Sequence, residues 1–426
     1  MHFYKKHPVV RKALEDINSQ IPHNTIGIRG RLYSISSLND KNVFNHPGGN
    51  ALIKINEGTD ITNLFETHHL NITLAEQYLQ KLPHIGFYKQ YIKYDFTLYD
   101  KLRNIVFKNF NTRKSRKMNN FTKYSLYSYV TLTLIFHSLL LCESEYSFRY
   151  IILCILSSIS NSICGSFGHN GIHNLSLSSL LLDWNGLSSI EWLLEHVHSH
   201  HMYTNTEYDH DAISLRPFLN WIPSNNSSFF AEKGKHLIYL IGELVVSIQG
   251  NLVHRCRWKL LFKKEYPMFL RLSPFVFISR ILSHIIFQGF KFGSITLLIC
   301  LMIASYYFSY LAHLNHGYSE SNESNESDIN NISNDFVLEQ LKHTNDINID
   351  SKLSHLFLML DRQTIHHLFP SIDHCHLKKV KEILIKYIKE TENYKININS
   401  DSLVELNNKI NKTLNNLSKK INKKEN

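Results

Sequence analysis

Four apolar segments, each long enough to cross a lipid bilayer as a helix, dominate the hydrophobic pattern of the chain. They cover residues 124–142, 148–167, 272–290 and 293–312. About 20 consecutive apolar residues span the hydrocarbon core of a membrane. Glu143-Ser144-Glu145 separates the first two segments, and a short turn near Lys291 separates the other two. The pattern therefore predicts two transmembrane hairpins.

Basic residues precede both hairpins. Eight lysines and arginines lie between residues 100 and 123, and six more lie between residues 255 and 271. Such an excess marks the cytoplasmic side of a membrane protein, so both hairpins should begin and end there. We expect residues 96–123 to form a flexible basic linker, either on an anionic leaflet or in solvent. The chain has a formal net charge of +10. Its basic residues flank the apolar segments and do not form a stripe, which argues against a nucleic-acid-binding protein.

The polar segments differ in composition. Residues 20–95 predict a small domain, because residues 26–33 read as two short strands around a turn. Residues 319–350 are rich in Ser, Glu and Asn and predict a disordered insertion. The Asn- and Lys-rich tail, residues 391–426, predicts a frayed helix or none. Residues 175–195 are amphipathic and could lie in the membrane interface.

The termini and the cysteines add little. Residues 1–10 lack the apolar stretch of a secretory signal peptide, so we expect none. The six cysteines are widely spaced and form no Cys-x-x-Cys pair, which favours buried thiols in a reducing compartment.

Two histidine-bearing loops lie in the N-terminal domain. His46 opens a turn, His46-Pro47-Gly48-Gly49, in which the glycines let a flat ligand approach the backbone. A second histidine follows at His68 or His69. Two histidines on opposite walls of an apolar pocket can bind haem iron from both faces. Such six-coordinate iron transfers electrons and leaves no position for O2.

Three further histidine clusters surround the apolar segments. His169 and His173 are four residues apart, so they share one face of a helix. His196 and His200 have the same spacing, and helix geometry turns His201 by about 100°. Adjacent histidines can therefore reach different metal ions.

The third cluster repeats this arrangement. It contains His366 and His367, with Gln363 shortly before them, and His313 or His316 adds another imidazole. These ligands are too many for one zinc ion and suit two iron ions. Two irons with O2 and two electrons can oxidise an unactivated C–H bond, which acid–base catalysis cannot.

The N-terminal motifs carry a resemblance. The strands at 26–33, the His-Pro-Gly-Gly turn and the pattern Gly58-x-Asp60-x-Thr62-x-x-Phe65-Glu66-x-x-His69 resemble cytochrome b5, in the form fused to lipid desaturases. The resemblance implies haem b with His46 and His69 as axial ligands. Counting residues from His46 favours His68, and both alternatives stay open.

Over residues 20–385 the chain resembles front-end fatty acyl desaturases. The three clusters, the ending Gln363-x-x-His366-His367-Leu368-Phe369-Pro370 and the haem domain carry this resemblance. It implies an α-helical multi-pass membrane protein with about four transmembrane helices in two hairpins, cytosolic helices and a small α+β haem domain. The membrane di-iron domain would cover residues 124–390. The implied iron ligands are His169, His173, His196, His200, His201, His316, Gln363, His366 and His367.

The resemblance also implies partners and a reaction. Such enzymes insert a cis double bond towards the carboxyl end of an acyl lipid or acyl-CoA, at the Δ5 or Δ6 position. They use O2 and electrons from a separate NADH–cytochrome b5 reductase, and lie in the endoplasmic reticulum membrane with haem and histidines on the cytosolic face. The sequence shows no nucleotide-binding glycine fingerprint of its own.

Several alternatives remain at the level of sequence. A glutamine at the position of Gln363 also occurs in sphingoid-base desaturases, which are one alternative. A lipid hydroxylase could use the same site, and a membrane-anchored haem electron carrier is the non-enzymatic alternative. The chain departs from its relatives at Asn170-Gly171, at the extra His198 and at His210. His198 either supports another ligand or is solvated. Asp209 and Asp211 either orient ligand histidines or form a surface turn. We expect ordinary roles for His236, His254, His284, His355, His374 and His376.

Overall fold

A computed structural model describes residues 20–39, 46–90, 92–206, 208–209, 211, 241, 267–316, 335–391, 398 and 400–419. Residues 255–266 of the predicted basic segment before the second hairpin lie outside the described residues. Residues 319–334 of the predicted insertion, His210, His236 and His254 also lie outside them.

A three-stranded antiparallel sheet begins the N-terminal domain. Its strands are β1 (Thr25–Ile28), β2 (Arg31–Ser34) and β3 (His84–Phe87), in that order across the sheet. Arg29 and Gly30 link β1 to β2 with φ values of 51° and 76°. A two-residue loop with two positive φ values matches the twist of the strands that it joins. The predicted strands around a turn are therefore confirmed. Three helices cover the sheet: α1 (Ala51–Ile55), α2 (Thr62–His68) and α3 (Ile72–Leu79).

The predicted flexible linker is wrong, because residues 97–116 form helices α4 (Thr97–Asn109) and α5 (Arg113–Arg116). Leu98, Leu102 and Val106 recur every four residues and are buried, while Lys101 and Lys108 are exposed. The helical period of the apolar residues thus outweighs the basic composition. α4 packs into an apolar cluster with Phe336 and Phe369.

Four long apolar helices confirm the predicted membrane spans. They are α6 (Asn120–Leu141), α7 (Phe148–Ile172) and, further along the chain, α11 (Met268–Gln288) and α12 (Phe290–Asn315). Each is long and apolar enough to cross a membrane. They form the two predicted hairpins, in which α6 packs on α7 and α11 packs on α12.

α7 is the most enclosed of the four, because small residues let α12 approach it closely. Ser158 Oγ donates to the Cys300 carbonyl at 3.1 Å, and Ser162 Oγ donates to the Ala304 carbonyl at 3.3 Å. The two contacts advance by four residues in both helices. α7 and α12 are therefore parallel, and their C-terminal ends lie at the same end of the bundle.

Short elements follow α7 and cover that end of the bundle. They are α8 (Leu180–Asn185), α9 (Ser189–Trp192), a π-helical segment (Leu193–His200) and α10 (His201–Tyr203). A Cβ atom on Gly168 would lie only 2.8 Å from the Leu182 backbone nitrogen. Ser273 of α11 donates to Asp183 at 2.5 Å. The apolar side of residues 175–195 thus packs on the bundle, with Leu182 and Leu187 buried.

The C-terminal part completes this end. Its elements are α13 (Phe336–His343), β4 (Asp346–Ile347), α14 (Gln363–Leu368), α15 (His374–Glu390), β5 (Ser400–Asp401) and α16 (Leu403–Lys419). β4 and β5 pair in parallel. The tail, for which the sequence predicts a frayed helix or none, contains α16 over residues 403–419.

The predicted disorder is wrong for residues 335–350. Phe336 and Val337 are buried in the apolar cluster that α4 also joins. The low-complexity polar composition stops at these two apolar residues, and α13 buries their side chains in the cluster.

Candidate metal centre and haem pocket

The predicted histidine clusters converge at the end of the bundle where α7 and α12 stop. α7 carries His169 and is followed directly by His173, and His316 follows α12. The π-helical segment and α14 bring the remaining clusters to the same place. All eight histidines predicted as ligands lie in two groups.

The larger group contains five buried imidazoles. One nitrogen from each lies within 4.8 Å of the others, and the residues are His169, His173, His196, His201 and His366. His196 Nε2 lies 2.8 Å from His169 Nε2 and 3.1 Å from His201 Nε2. Such close approach of ring nitrogens suits a shared cation.

The π-helical segment brings His196 close to two other histidines. In a π-helix the hydrogen bonds join residues five apart, and the rings of His196 and His201 lie with centroids 4.6 Å apart. His196 also lies beside His200, as the four-residue spacing predicts, because their rings stack with centroids 5.0 Å apart and the two form a third, overlapping group with Asp211. The adjacent residues His200 and His201 belong to different histidine groups, and their binding to different metal ions stays a prediction.

The smaller group contains His200, His316 and His367. Gln363 Nε2 lies 3.3 Å from His316 Nε2. Of the two predicted alternatives, the structure brings His316 into the group, and His313 lies outside both groups. The rings of His201 and His367 stack with centroids 4.1 Å apart, so the two groups are immediate neighbours.

Polar side chains orient the imidazoles from outside. His200 Nδ1 donates to Asp209 at 2.9 Å, and His196 Nδ1 donates to Asp211 at 3.0 Å. His367 Nδ1 donates to Gln340 Oε1 at 3.0 Å. Donation from Nδ1 leaves the Nε2 lone pair free for a metal ion. Asp209 is fully buried, so the alternative of a surface turn does not apply to it.

The nitrogen atoms in both groups fit a metal site. Both ring nitrogens of His173 and His366, and the Nε2 atoms of His200 and His367, are buried without a hydrogen-bond partner in the described part of the chain. Leaving such atoms unpaired costs free energy that a bound cation would offset.

The protonation states agree with this fit. Burial, together with the neighbouring histidines, holds the pKa of His196, His201, His366 and His367 well below the ordinary value. These rings are therefore neutral. Burial also lowers the pKa of His200, but Asp209 and Asp211 outweigh it, and the net shift is upward. Neutral imidazole is a ligand type that iron accepts.

A second site lies in the N-terminal domain, where His46 and His69 face each other with ring centroids 5.8 Å apart. His46 Nδ1 donates to the Gly49 carbonyl at 3.1 Å, and His69 Nδ1 donates to the Phe65 carbonyl at 2.8 Å. Both Nε2 atoms are thus available to one ion between the rings, as axial haem ligation requires. Burial lowers the pKa of His46, and lowers that of His69 to about 4. This geometry supports His69 over His68.

Comparison with known proteins agrees with both sites. A family model described as fatty acid desaturase matches residues 147–396, which is more than half of the chain. The chain belongs to the fatty acid desaturase family. A second family model, described as cytochrome b5-like haem/steroid binding domain, matches residues 24–89 of this desaturase. The resemblance to desaturases with a fused cytochrome b5 domain is therefore confirmed.

Relatives align along most of the desaturase. A probable Delta(5) fatty acid desaturase C of Dictyostelium discoideum is 26% identical in an alignment that covers 86% of this chain and 88% of the relative. An acyl-lipid (8-3)-desaturase of Mortierella alpina is 23% identical and covers 85% of this chain and 88% of the relative. A cytochrome b5-related protein of Drosophila melanogaster is 27% identical over 46% of this chain.

Three residues of the site were not predicted. Gln340 lies in the segment predicted as disordered, so its composition concealed it. Trp192 stacks on His196 with ring centroids 5.0 Å apart, and its position four residues earlier was the available signal. His374, for which an ordinary role was expected, stacks on His366 at 5.0 Å. Its sequence context carries no signal of this contact.

Proposed function

We propose that this desaturase inserts a cis double bond into a lipid acyl chain, between an existing double bond and the carboxyl end. Position Δ5 or Δ6 is the proposed range. The observation that carries the proposal is the pair of neighbouring buried imidazole groups beside a haem-type histidine pair. The relatives whose names specify Delta(5) and acyl-lipid (8-3) desaturation support the front-end assignment.

In this proposal nine side chains hold two non-haem iron ions. The ligands are His169, His173, His196, His200, His201, His316, Gln363, His366 and His367. When bound, the iron pair supplies the activation of O2 that cleavage of an unactivated C–H bond requires. Asp209, Asp211 and Gln340 accept hydrogen bonds from the outer nitrogens of His200, His196 and His367, which orients the Nε2 atoms of these rings towards the iron ions. Burial of the imidazoles keeps bulk water from the reacting carbon.

The N-terminal domain would hold haem b between His46 and His69. An NADH–cytochrome b5 reductase would reduce it, since the sequence contains no nucleotide-binding fingerprint. Exposed Arg113 and Lys114 precede α6, and exposed Glu145 lies in the opposite loop. This charge asymmetry supports a cytosolic face for both sites, in the endoplasmic reticulum membrane. The proposed domains are residues 20–95 for haem and 124–390 for the iron pair.

Product analysis tests the function. The desaturase is expressed in a host with few polyunsaturated lipids, candidate unsaturated acids are fed, and new double bonds are located by mass spectrometry. We expect a new cis double bond on the carboxyl side of an existing one. His200→Ala should abolish this product, whereas His23→Ala, on the exposed surface of the haem domain, should retain it.

Other products would contradict the proposal in different ways. A hydroxylated lipid without a new double bond would identify a hydroxylase, and a modified long-chain base would identify a sphingoid-base desaturase. No lipid product from a protein that contains haem would identify an electron carrier.

A further inference from the structure

His68 connects the haem pocket to the metal centre. It is the last residue of α2, directly before His69. The two rings face opposite ways, because His69 faces His46 while His68 stacks on His173. The centroids of His68 and His173 are 6.2 Å apart, and the ring planes meet at 29°. His173 belongs to the five-histidine group.

α2 is fixed over the metal centre by contacts on both sides. Asn63 Nδ2 donates to the Met202 carbonyl at 2.7 Å, which joins α2 to the end of α10. Leu64 lies in one apolar cluster with Met202 and with Val197, which lies next to His196 in the chain. Glu66 forms an ion pair with Arg103 of α4 at 3.0 Å. The haem domain is therefore packed directly on the desaturase domain at the point where His68 meets His173.

The chemistry of His68 is unusual for a packing residue. Its Nε2 atom is buried and has no hydrogen-bond partner in the described part of the chain. An unpaired buried nitrogen costs free energy that an apolar side chain of the same size would avoid. The ring of His68 stacks on His173, whereas His69 is the ring that faces His46, so a role in haem ligation does not account for His68.

We infer that the stacked rings of His68 and His173 form the contact through which electrons pass from the haem to the five-histidine group. The inference rests on the proposed function. With haem and iron bound, each passage would carry one electron: the haem iron would lose it and one metal ion of the five-histidine group would gain it. No bond would form or break and no proton would move in this step. The external reductase of the proposed function would return an electron to the haem, and one desaturation would use two such passages.

Single-turnover kinetics on the full chain test this inference. Purified protein with haem and iron loaded is reduced photochemically without O2, then mixed with O2 and an unsaturated acyl substrate in a stopped-flow instrument. Reoxidation of the haem is followed by its absorption. The variants are His68→Leu, which removes the ring, and His68→Phe, which keeps a ring. The matched control is His84→Leu, an exposed histidine of β3 in the same domain.

We expect His68→Leu to slow haem reoxidation severalfold and His68→Phe to slow it less, while His84→Leu matches the parent. Haem absorption, haem midpoint potential and non-haem iron content should stay unchanged in all three, which a merely structural defect would not allow. Iron-depleted parent gives the background rate. Parent-like reoxidation in His68→Leu, or slowing that accompanies loss of iron or haem, would overturn the relay. A parent that reoxidises no faster than its iron-depleted form would instead overturn the proposed electron supply.

Discussion

His200 Nδ1 lies 2.9 Å from a carboxylate oxygen of Asp209, whose side chain has no exposed surface. This hydrogen bond orients a ring of the three-histidine group, so the carboxylate should control metal retention. Asp209→Asn keeps an acceptor but removes the charge, and we expect non-haem iron affinity to fall about 10- to 100-fold. Iron titration with the haem spectrum as a folding check measures this.

The control for Asp209 is Asp350→Asn. Asp350 is exposed and accepts a hydrogen bond from Lys352 N at the start of a short 3-10 helix (Ser351–Leu353). It should bind iron as the parent does. Equal iron affinity in both variants would contradict a role of Asp209 in orienting His200.

Adjacent histidines in the N-terminal domain should respond differently to substitution. His69→Leu should lose the haem absorption band, because His69 faces His46. His68→Leu should keep the band, since that ring faces His173. Absorption spectra after haem reconstitution distinguish the two, and loss of haem from the His68 variant alone would reverse the assignment.

The buried ion pair between Glu66 and Arg103 should stabilise the packing of the haem domain on α4. Arg103 and Glu66 are 1% and 2% exposed. Arg103→Met would leave a buried carboxylate with one cation fewer, which should cost about 3 kcal/mol. Thermal unfolding in detergent measures this.

Arg29 provides the comparison, because it contacts the same Glu66 but is 43% exposed. Arg29→Met should cost less than about 1 kcal/mol. A larger loss from Arg29→Met than from Arg103→Met would be inconsistent with the burial of the Arg103 pair.

Stability should fall on acidification when metal and haem are absent. Burial, with a smaller effect of His68, lowers the pKa of His198 to about 3, so below pH 6.5 the unfolded chain takes up a proton that the folded chain does not. Stability is therefore lost as the pH falls from 6.5 towards 3. For His198 alone the loss is roughly 2 kcal/mol by pH 5. His198→Met should flatten the decrease of the melting temperature between pH 7 and pH 5, and an unchanged slope would argue against a neutral buried ring.

The sequence predicted those parts of the site that depend on regular geometry. His169 lies in the last turn of α7, and His173 follows the helix with helical backbone angles, so their spacing placed them together. The close approach of His196 to His201 occurs in a π-helical segment, which the four-residue spacing of the histidines does not predict. α4 was missed because basic residues conceal its apolar period. The orientation of His68 away from His69 depends on which surface covers the end of α2, and local sequence does not contain that information.

Metal analysis tests the central claim most directly. Protein purified from an iron-replete host is assayed for total iron, zinc and haem per chain. Two imidazole groups and one haem-type pair predict three irons for each haem, two of them removable by a chelator with the haem spectrum intact. A total iron content per chain equal to the haem content, or zinc in place of the removable iron, would contradict a di-iron centre.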